Sequence, residues 1–266
     1  MSKRRLKLTL EYDGTNFYGW QVQTRTGERT VQGVLQAAFA YLPGDHSAVH
    51  AAGRTDAGVH ALAMAAHIDT TTHIPNEKLL RALNAHLPDD LAVLTCEAVP
   101  DHFEAQFSCL YRYYIYKLRY CRDDLRGTVL DRHYVLSVFS RLDITAMQDA
   151  APLFEGTHDF AALATQETRP TVKTVYLSKL SVKERNLTLH IVGNGFLRNM
   201  VRAVVGTLLL VGQGKVSPEA VLDILASKDR SRAGENAPPH GLYFAEAGYR
   251  AWTPNDRQRI LASKAL

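Results

Sequence analysis

The chain has 266 residues, of which 46% are hydrophobic and 22% charged, and its formal net charge is +4 at pH 7. These values are typical of an ordinary globular protein and argue against disordered, fibrous and disulfide-stapled classes, while the mild positive charge is compatible with a polyanionic partner. The three cysteines show no paired or metal-ligand spacing, and no apolar stretch has the length of a signal peptide or a bilayer span, so we expect a reduced, cytoplasmic protein with no membrane partner.

The N-terminal half alternates strand and helix patterns. The first run of apolar residues with a period of two, typical of a strand, ends at Asp13-Gly14. Apolar residues with the spacing of a helix begin after Thr30, a suitable N-cap, and stop at Pro43-Gly44. A second helix is predicted to start near Pro75. The predicted strands cover residues 6–12, 47–52, 61–69 and 91–99, and the predicted helices cover residues 31–42 and 75–87. Residues 52–61 are therefore expected to form a loop between two strands.

The pattern loosens between Pro100 and Ala105, which divides the chain into an N-terminal half, 1–104, and a C-terminal half, 105–266. Strands alternate with helices in both halves, and several strands are amphipathic. This combination predicts an α/β (α+β) fold with antiparallel or mixed sheets rather than a wholly parallel one.

The C-terminal half opens with a long strand over 111–120, in which tyrosines crowd both faces. A polar turn at 184–186 is predicted to join the two strands of a hairpin. The remaining predicted elements are helices from 143 towards 153, from Phe196 and from Ser217-Pro218, a loop over 229–240 and a closing strand over 241–249.

The loop AAGRTDAGVHA, residues 51–61, holds three charged or titratable side chains between small residues. Taken alone, this pattern favours a plain surface turn in which Asp56 bonds its own backbone. The alternative interpretation is an active site, because the small residues leave room for a substrate, Asp56 can act as a nucleophile or base, and Arg54 can act as a wedge or contact a phosphate. His60 is expected to hold the loop rather than to take part in chemistry.

Two arginines, Arg198 and Arg202, lie four residues apart on the helix predicted from Phe196 and would share one face of it. A guanidinium on a buried helical surface needs a partner, and a carboxylate such as Asp56 needs a cation to stay ionised in a cleft. We therefore predict that Arg202 is paired, whereas Arg198 can equally reach solvent. Most strand tyrosines are packing residues, but Tyr111, at the head of its strand, is a candidate for contact with a flipped base.

Several chemistries lack their sequence signature. His60, His67, His73 and His86 show no HxxxH or HExxH arrangement, which gives a metal site little support. No GxxxxGK[ST], GxGxxG or GxSxG motif is present, so simple nucleotide-binding and hydrolase functions are not indicated. We expect neither a metal nor a cofactor.

Six stretches of the chain form an ordered series from the first predicted strand to the last. They are YDGTNFYGWQVQ (12–23), AGRTDAGVHA (52–61), FSCLYRYYIY (107–116), GTHDFAAL (156–163), GNGFLRNMVRAVVGTLLLVG (193–212) and HGLYF (240–244). The series resembles the successive motifs of the tRNA pseudouridine synthase A family, and GRTDAGVHA is similar to that family's catalytic signature. The resemblance therefore favours the active-site interpretation of the loop.

The resemblance implies a cofactor-free isomerase that converts uridine to pseudouridine at positions 38, 39 and 40 in the anticodon stem-loop of tRNA, after the target base has flipped out of its stack. It implies a homodimer whose partner is tRNA and not DNA. The implied fold has two similar α/β halves, whose mostly antiparallel sheets join into one large platform with a central basic cleft.

By motif position, the resemblance also implies roles for individual residues. Asp56 is expected to be the nucleophile, and Arg54 to occupy the space that the flipped uridine leaves. Tyr111 is expected to stack near the base and assist proton removal, Arg202 to pair with the catalytic aspartate, and Leu242 to line the uracil pocket. The expected catalytic residues are Asp56, Tyr111 and Arg202, and the expected substrate-binding residues are Arg54, Tyr111, Leu242, Phe196 and His60.

Three positions depart from the family pattern. Gln106 and Lys173 stand where arginine is usual, and Ala63-Met64 stands where glycine-glutamine is common. Gln106 and Met64 keep a second hypothesis open, a catalytically weak RNA-binding or tRNA chaperone relative of the same fold. A third hypothesis, a small-molecule enzyme that uses an Asp–Arg pair, lacks any cofactor motif. The presence of all three catalytic candidates favours the isomerase.

Overall fold

A computed structural model describes residues 3–23, 27–165, 168 and 170–262. The chain forms two compact units. Unit 1 comprises Met1–Cys109 and Tyr243–Ala247, and unit 2 comprises Leu110–Leu242 and Gly248–Leu266. The division of the chain into an N-terminal half, 1–104, and a C-terminal half, 105–266, stays a prediction.

The strands and helices follow one another along the whole described chain. In order they are β1 (Arg4–Tyr12), α1 (Val31–Ala40), β2 (His50–Ala51), β3 (His60–Thr70), α2 (Asn76–His86), β4 (Leu91–Val99), β5 (Tyr111–Tyr120), β6 (Leu136–Val138), α3 (Ile144–Ala150), β7 (Gly156–Asp159), β8 (Val172–Lys183), β9 (Asn186–Gly193), α4 (Met200–Gly212), α5 (Ala220–Ser227), β10 (Leu242–Gly248) and α6 (Pro254–Ala262). No helix within the described residues combines the length and apolar character that a bilayer crossing requires.

In unit 1, β1 lies between β3 and β4 and is antiparallel to both. Leu6, Leu8 and Leu10 of β1 are fully buried, which confirms the predicted alternation. β2 pairs antiparallel with β3 and is shorter than the predicted strand, and the part of β10 that belongs to this unit pairs in parallel with the start of β3. The loop that contains Arg54 and Asp56 joins β2 to β3, so its predicted placement between two strands is confirmed.

The two helices of unit 1 start where the sequence predicts. The hydroxyl of Thr30 accepts a hydrogen bond from the N–H of Gly33 at 3.2 Å and so caps α1. α2 starts directly after Pro75. Both helices bury one apolar stripe, which lies in the core of the unit.

In unit 2, β5 is parallel to β6 on one side and antiparallel to β9 on the other. β8 and β9 form the predicted antiparallel hairpin, in whose turn Glu184 has a φ of 56°, and β7 pairs antiparallel with β8. Residues on both faces of β5 are buried. The mixed α/β class with mostly antiparallel strand pairing is confirmed.

Two helices of unit 2 differ from their predictions. α4 begins at Met200 and not at Phe196, because Asn199 has a left-handed φ of 61°, which a continuous right-handed helix does not contain. The helix predicted from 143 towards 153 ends at Ala150 and tightens into a 3-10 turn that contains Pro152.

The last helices differ as well. α5 is assigned from Ala220, although the carbonyl of Ser217 already accepts a bond from the N–H of Ala220 at 3.2 Å, so the chain starts to coil where predicted. α6 follows the strand that the sequence predicts as the last element. Its buried residues are Asp256 and Ile260, which is too few for a helical periodicity to be read.

Candidate active site

The loop between β2 and β3 ends in a tight turn, Asp56–Val59, which we call the acidic turn. The N–H of Val59 donates to the carbonyl of Asp56 at 3.2 Å, and Gly58, at the third position, has a φ of 77°. A type II turn requires such a positive φ at this position, which is why glycine fits there. Arg54, just before the turn, is exposed and Asp56 is half-buried, so the loop presents polar side chains at the surface of unit 1.

A second segment, residues 13–20, supports the acidic turn through its main chain, and we call it the supporting segment. The N–H of Trp20 donates to the carbonyl of Thr55 at 3.1 Å, and the carbonyl of Phe17 accepts the N–H of Gly58 at 3.2 Å. At Gly19, where φ is 80°, a Cβ would overlap the carbonyl oxygen of Thr55. The close approach of two backbones therefore requires glycine there.

The supporting segment is a functional feature that the sequence reasoning did not assign. It belongs to the quoted stretch YDGTNFYGWQVQ, whose two glycines were its only local signal. Gly14 has the same role as Gly19, since a Cβ on Gly14 would overlap the carbonyl oxygen of Val59. The rings of Phe17 and Trp20 are buried, with 2% and 1% exposed, and thus fix the segment in the core.

His60 lies directly after the acidic turn and is 2% exposed. Its Nδ1 accepts the N–H of Gly14 at 3.0 Å in the neutral ring and lies 3.1 Å from Oδ1 of Asp13. The ring stacks on Tyr243 with 4.8 Å between centroids. These contacts support the expected role of His60 in holding the loop, while its role in substrate binding stays a prediction.

Tyr111, the first residue of β5, is fixed within unit 2 by its ring. It is 2% exposed, and the ring of Trp252 packs edge-on against it with 5.2 Å between centroids. Gly248 lies directly against the Tyr111 ring, because a Cβ there would overlap the ring atoms. Packing on two sides gives this ring one orientation.

Arg202, on α4, is fixed by hydrogen bonds within unit 2. Its Nε donates to the carbonyl of Ala237 at 2.6 Å, and its Nη1 donates to Oδ1 of Asn199 at 3.1 Å. The N–H of Ala237 donates in turn to the carbonyl of Arg202 at 3.0 Å. The guanidinium is therefore oriented by its own unit. Its pairing with a carboxylate stays a prediction.

The predicted common face of Arg198 and Arg202 is wrong. Arg198 lies in the turn before α4, is exposed, and accepts the N–H of Thr165 at its carbonyl at 3.2 Å. Asn199, with its left-handed φ, lies between the two arginines. They are therefore not in one continuous helix, and a spacing of four residues does not place them on a common face.

Two apolar candidates lie near ends of elements in unit 2. Phe196 is half-buried in the loop before α4 and packs edge-on against the Tyr114 ring, with 5.1 Å between centroids. Leu242 begins β10 and is 6% exposed. Near the same strand start, burial raises the pKa of the Tyr116 hydroxyl, and the charge of Arg202 offsets part of that shift.

The departures from the family pattern lie in different surroundings. Met64 is fully buried in β3, so its side chain belongs to the core of unit 1. Gln106 is exposed and Lys173 is half-buried. In the part of the chain that the structure describes, no group of three His, Cys, Asp or Glu side chains could hold a metal ion.

Residues 9–108 and 150–250, which together make up more than half of the chain, match the family model described as tRNA pseudouridine synthase. The chain belongs to the tRNA pseudouridine synthase family. The family match includes both the acidic turn and the supporting segment, as well as Phe196, Arg202 and Leu242, whereas Tyr111 lies between the two matched ranges.

Curated relatives of this family cover nearly the whole chain. The tRNA pseudouridine synthase A of Ruminiclostridium cellulolyticum is 40% identical over 252 residues, which are 92% of this chain and 100% of that protein. The protein of the same name from Bacillus subtilis is 43% identical over 92% of this chain and 99% of its own length. The one from Thermus thermophilus is 46% identical over 92% of this chain and 97% of its own length.

Proposed function

We propose that this protein isomerises uridine to pseudouridine at positions 38, 39 and 40 in the anticodon stem-loop of tRNA, with Asp56 as the nucleophile. The observation that carries the proposal is the placement of Asp56. It begins a tight turn, inside the region that matches the family, and a second segment fixes that turn through its main chain. Fixed geometry of this kind lowers the cost of bringing a nucleophile to its target.

The proposed reaction needs no redox equivalent. The glycosidic bond between N1 and the ribose carbon breaks, the uracil ring rotates while it is held, C5 bonds to the same carbon and loses its proton, and N1 takes up a proton. The carboxylate of Asp56 attacks either the ribose or the uracil ring, and a covalent intermediate of either kind divides the exchange into two easier steps.

The target base must first leave its stack, which costs a few kcal/mol. Arg54 is exposed on the loop, two residues before Asp56, and its planar guanidinium can fill the vacancy. Arg54 therefore offsets part of the cost of flipping in this proposal, and the small residues around it leave room for the nucleotide.

The remaining proposed roles fall to residues of unit 2. In this proposal Arg202 pairs with the Asp56 carboxylate and orients it, Tyr111 stacks near the base and assists removal of the C5 proton, and Leu242 and Phe196 contact the uracil. The support for these roles is that Tyr111 and Arg202 are each held in one orientation by their own unit.

We further propose that the protein acts as a homodimer that holds tRNA in a basic cleft. The net charge of +4 supports a polyanionic partner. The three cysteines, all in the described part of the chain, form no disulfide, which fits the reducing cytoplasm.

The hypothesis of a catalytically weak RNA-binding or tRNA chaperone relative has two supports, Gln106 and Met64. Because Met64 is fully buried, its departure from the family pattern concerns core packing and not RNA contact. Gln106, which is exposed, is compatible with either function.

The reaction is tested with tRNA transcripts that carry tritium at C5 of uridine. Since pseudouridine formation expels the hydrogen on C5, we expect the wild-type protein to release tritium into water. A protein that binds the transcript but releases no tritium would contradict the proposed function and favour the RNA-binding alternative.

A further inference from the structure

Arg29, two residues before α1, forms a forked ion pair with Asp90, one residue before β4. Nη1 of Arg29 lies 2.8 Å from Oδ2 of Asp90, and Nη2 lies 2.6 Å from Oδ1. The two side chains are 37% and 22% exposed. A fork of two parallel bonds fixes the orientation of both groups as well as their distance.

The same guanidinium contacts the supporting segment. Cζ of Arg29 lies 4.0 Å from the ring centroid of Phe17, where the cation is attracted by the negative face of the ring. The carbonyl of Arg29 also accepts the N–H of Tyr18 at 2.9 Å. Arg29 therefore holds the supporting segment through both its side chain and its main chain.

Phe17 connects this contact to the acidic turn, since its carbonyl accepts the N–H of Gly58 at 3.2 Å. Asp90 reaches the supporting segment by a second route, because its own carbonyl accepts the N–H of Asp13 at 3.0 Å. Both members of the ion pair thus contact the segment that positions the acidic turn, and neither belongs to that turn.

We infer that Arg29 and Asp90 are positioning residues that keep the acidic turn in the geometry the reaction needs. This inference rests on the proposed function. A partly exposed ion pair adds little to the free energy of folding, so its effect lies mainly in orientation. A displacement of about 1 Å can slow an enzymatic reaction about 100-fold, so loss of the fork is expected to lower kcat measurably.

The test compares Arg29→Ala and Asp90→Asn with the wild-type protein in kcat, KM and tRNA affinity. We expect both variants to lose about tenfold or more in kcat, with KM and Kd for tRNA unchanged. The two substitutions change the net charge in opposite directions. A shared loss of kcat therefore cannot come from altered attraction to RNA phosphates.

A conservative variant and a control sharpen the test. Arg29→Lys keeps a cation near Phe17 but loses the fork, so its kcat should lie between those of the wild type and Arg29→Ala. Arg126→Ala removes an equal charge in unit 2, where Arg126 is 86% exposed and lies 2.7 Å from Asp124, and should keep the wild-type kcat. If Arg29→Ala does not fold, Asp90→Asn and Arg29→Lys decide by the same criteria.

Wild-type kcat in both Arg29→Ala and Asp90→Asn would overturn the inference. A raised KM in Arg29→Ala alone, with kcat unchanged, would show instead that Arg29 contacts RNA, and would also overturn it. A wild-type protein that releases no tritium from C5 would reject the proposed function and this inference with it. An active wild-type protein supports the proposed function, and a lower kcat in the variants then supports the positioning role separately.

Discussion

The acidic turn in unit 1 and the proposed site residues in unit 2 are held by different interactions. The turn is an irregular segment whose position depends on main-chain hydrogen bonds and on backbone contacts at Gly14 and Gly19. Tyr111 and Arg202 lie on a strand and a helix, where ring packing and side-chain hydrogen bonds fix them. The acidic turn is therefore held by main-chain geometry, whereas Tyr111 and Arg202 are held through their side chains.

Because of this difference, we expect a side-chain substitution on the acidic turn to change activity without changing stability, and a substitution at Arg202 in unit 2 to change both. A side chain on the acidic turn can change without removing the main-chain bonds that hold the turn. In contrast, a change at Arg202 removes bonds that also belong to the fold of unit 2. The four predictions below test this contrast.

Asp56→Ala should have the largest effect on activity. We expect kcat to fall by about 10⁴-fold or more, since the nucleophile is lost, while tRNA binding survives because it depends mainly on phosphate contacts. The bond from the Val59 N–H to the carbonyl of residue 56 persists in the variant, so the turn is retained. Tritium release and filter binding measure the two quantities, and Asp56→Asn is the near-isosteric control. Pseudouridine formation by Asp56→Ala would refute the mechanism.

Arg202→Ala should lower activity and stability together. The substitution leaves the carbonyl of Ala237 and Oδ1 of Asn199 without their guanidinium donor and strands the proposed carboxylate partner. We expect a loss of about 2 kcal/mol in the free energy of unfolding, because a charged donor of two hydrogen bonds is removed, together with a large loss of kcat. Chemical denaturation and tritium release check both. A wild-type free energy of unfolding and a wild-type kcat in Arg202→Ala would contradict the proposed pairing of Arg202 with Asp56.

Gly19→Ala tests the main-chain contact, and Gly27→Ala is its matched control. Both glycines have positive φ, 80° and 62°, so both substitutions carry the strain of a left-handed alanine, about 1 kcal/mol. Only at Gly19 would the new Cβ overlap the carbonyl of Thr55, whereas at Gly27 it meets nothing within 4 Å. We expect Gly19→Ala to cost about 2 kcal/mol more and to lower kcat about tenfold. Equal effects at the two positions would contradict the supporting role of residues 13–20.

Mild acid should weaken unit 2 through the buried side chain of His190. His190 is 3% exposed, its Nδ1 lies 2.7 Å from the hydroxyl of Tyr113, and burial lowers its pKa to about 4. The unfolded chain, with a histidine pKa of about 6.5, binds this proton first as pH falls. Stability is therefore complete above about pH 6.5 and declines towards pH 4, by about 1 kcal/mol between pH 6.5 and 5.5.

Denaturation at several pH values checks this dependence on His190, and His190→Gln should flatten that part of the profile. An unchanged slope in the variant would exclude His190 as its source.

The sequence predicted the elements that have a clear period. Leu6, Leu8 and Leu10 show the alternation of a half-buried strand, Thr30 is a strong helix cap, and the hairpin of β8 and β9 follows from a polar turn between two apolar runs. Local pattern and tertiary packing agree at these places, so the local signal is sufficient.

The sequence failed where a backbone contact or one dihedral angle decides the structure. The start of α4 and the placement of Arg198 depend on the left-handed Asn199, which no apolar periodicity reveals. The support of the acidic turn by residues 13–20 depends on contacts between segments about 40 residues apart, and a glycine alone does not name its partner. The loop itself was predicted as a site only through the ordered motifs around it.

The most direct measurement is the mapping of pseudouridine, at one-nucleotide resolution, in an unmodified tRNA anticodon arm after incubation with the wild-type protein and with Asp56→Asn. The account predicts pseudouridine at positions 38, 39 and 40 with the wild type and none with the variant. An arm left unmodified by the wild type, modified at other positions, or modified by Asp56→Asn would contradict it.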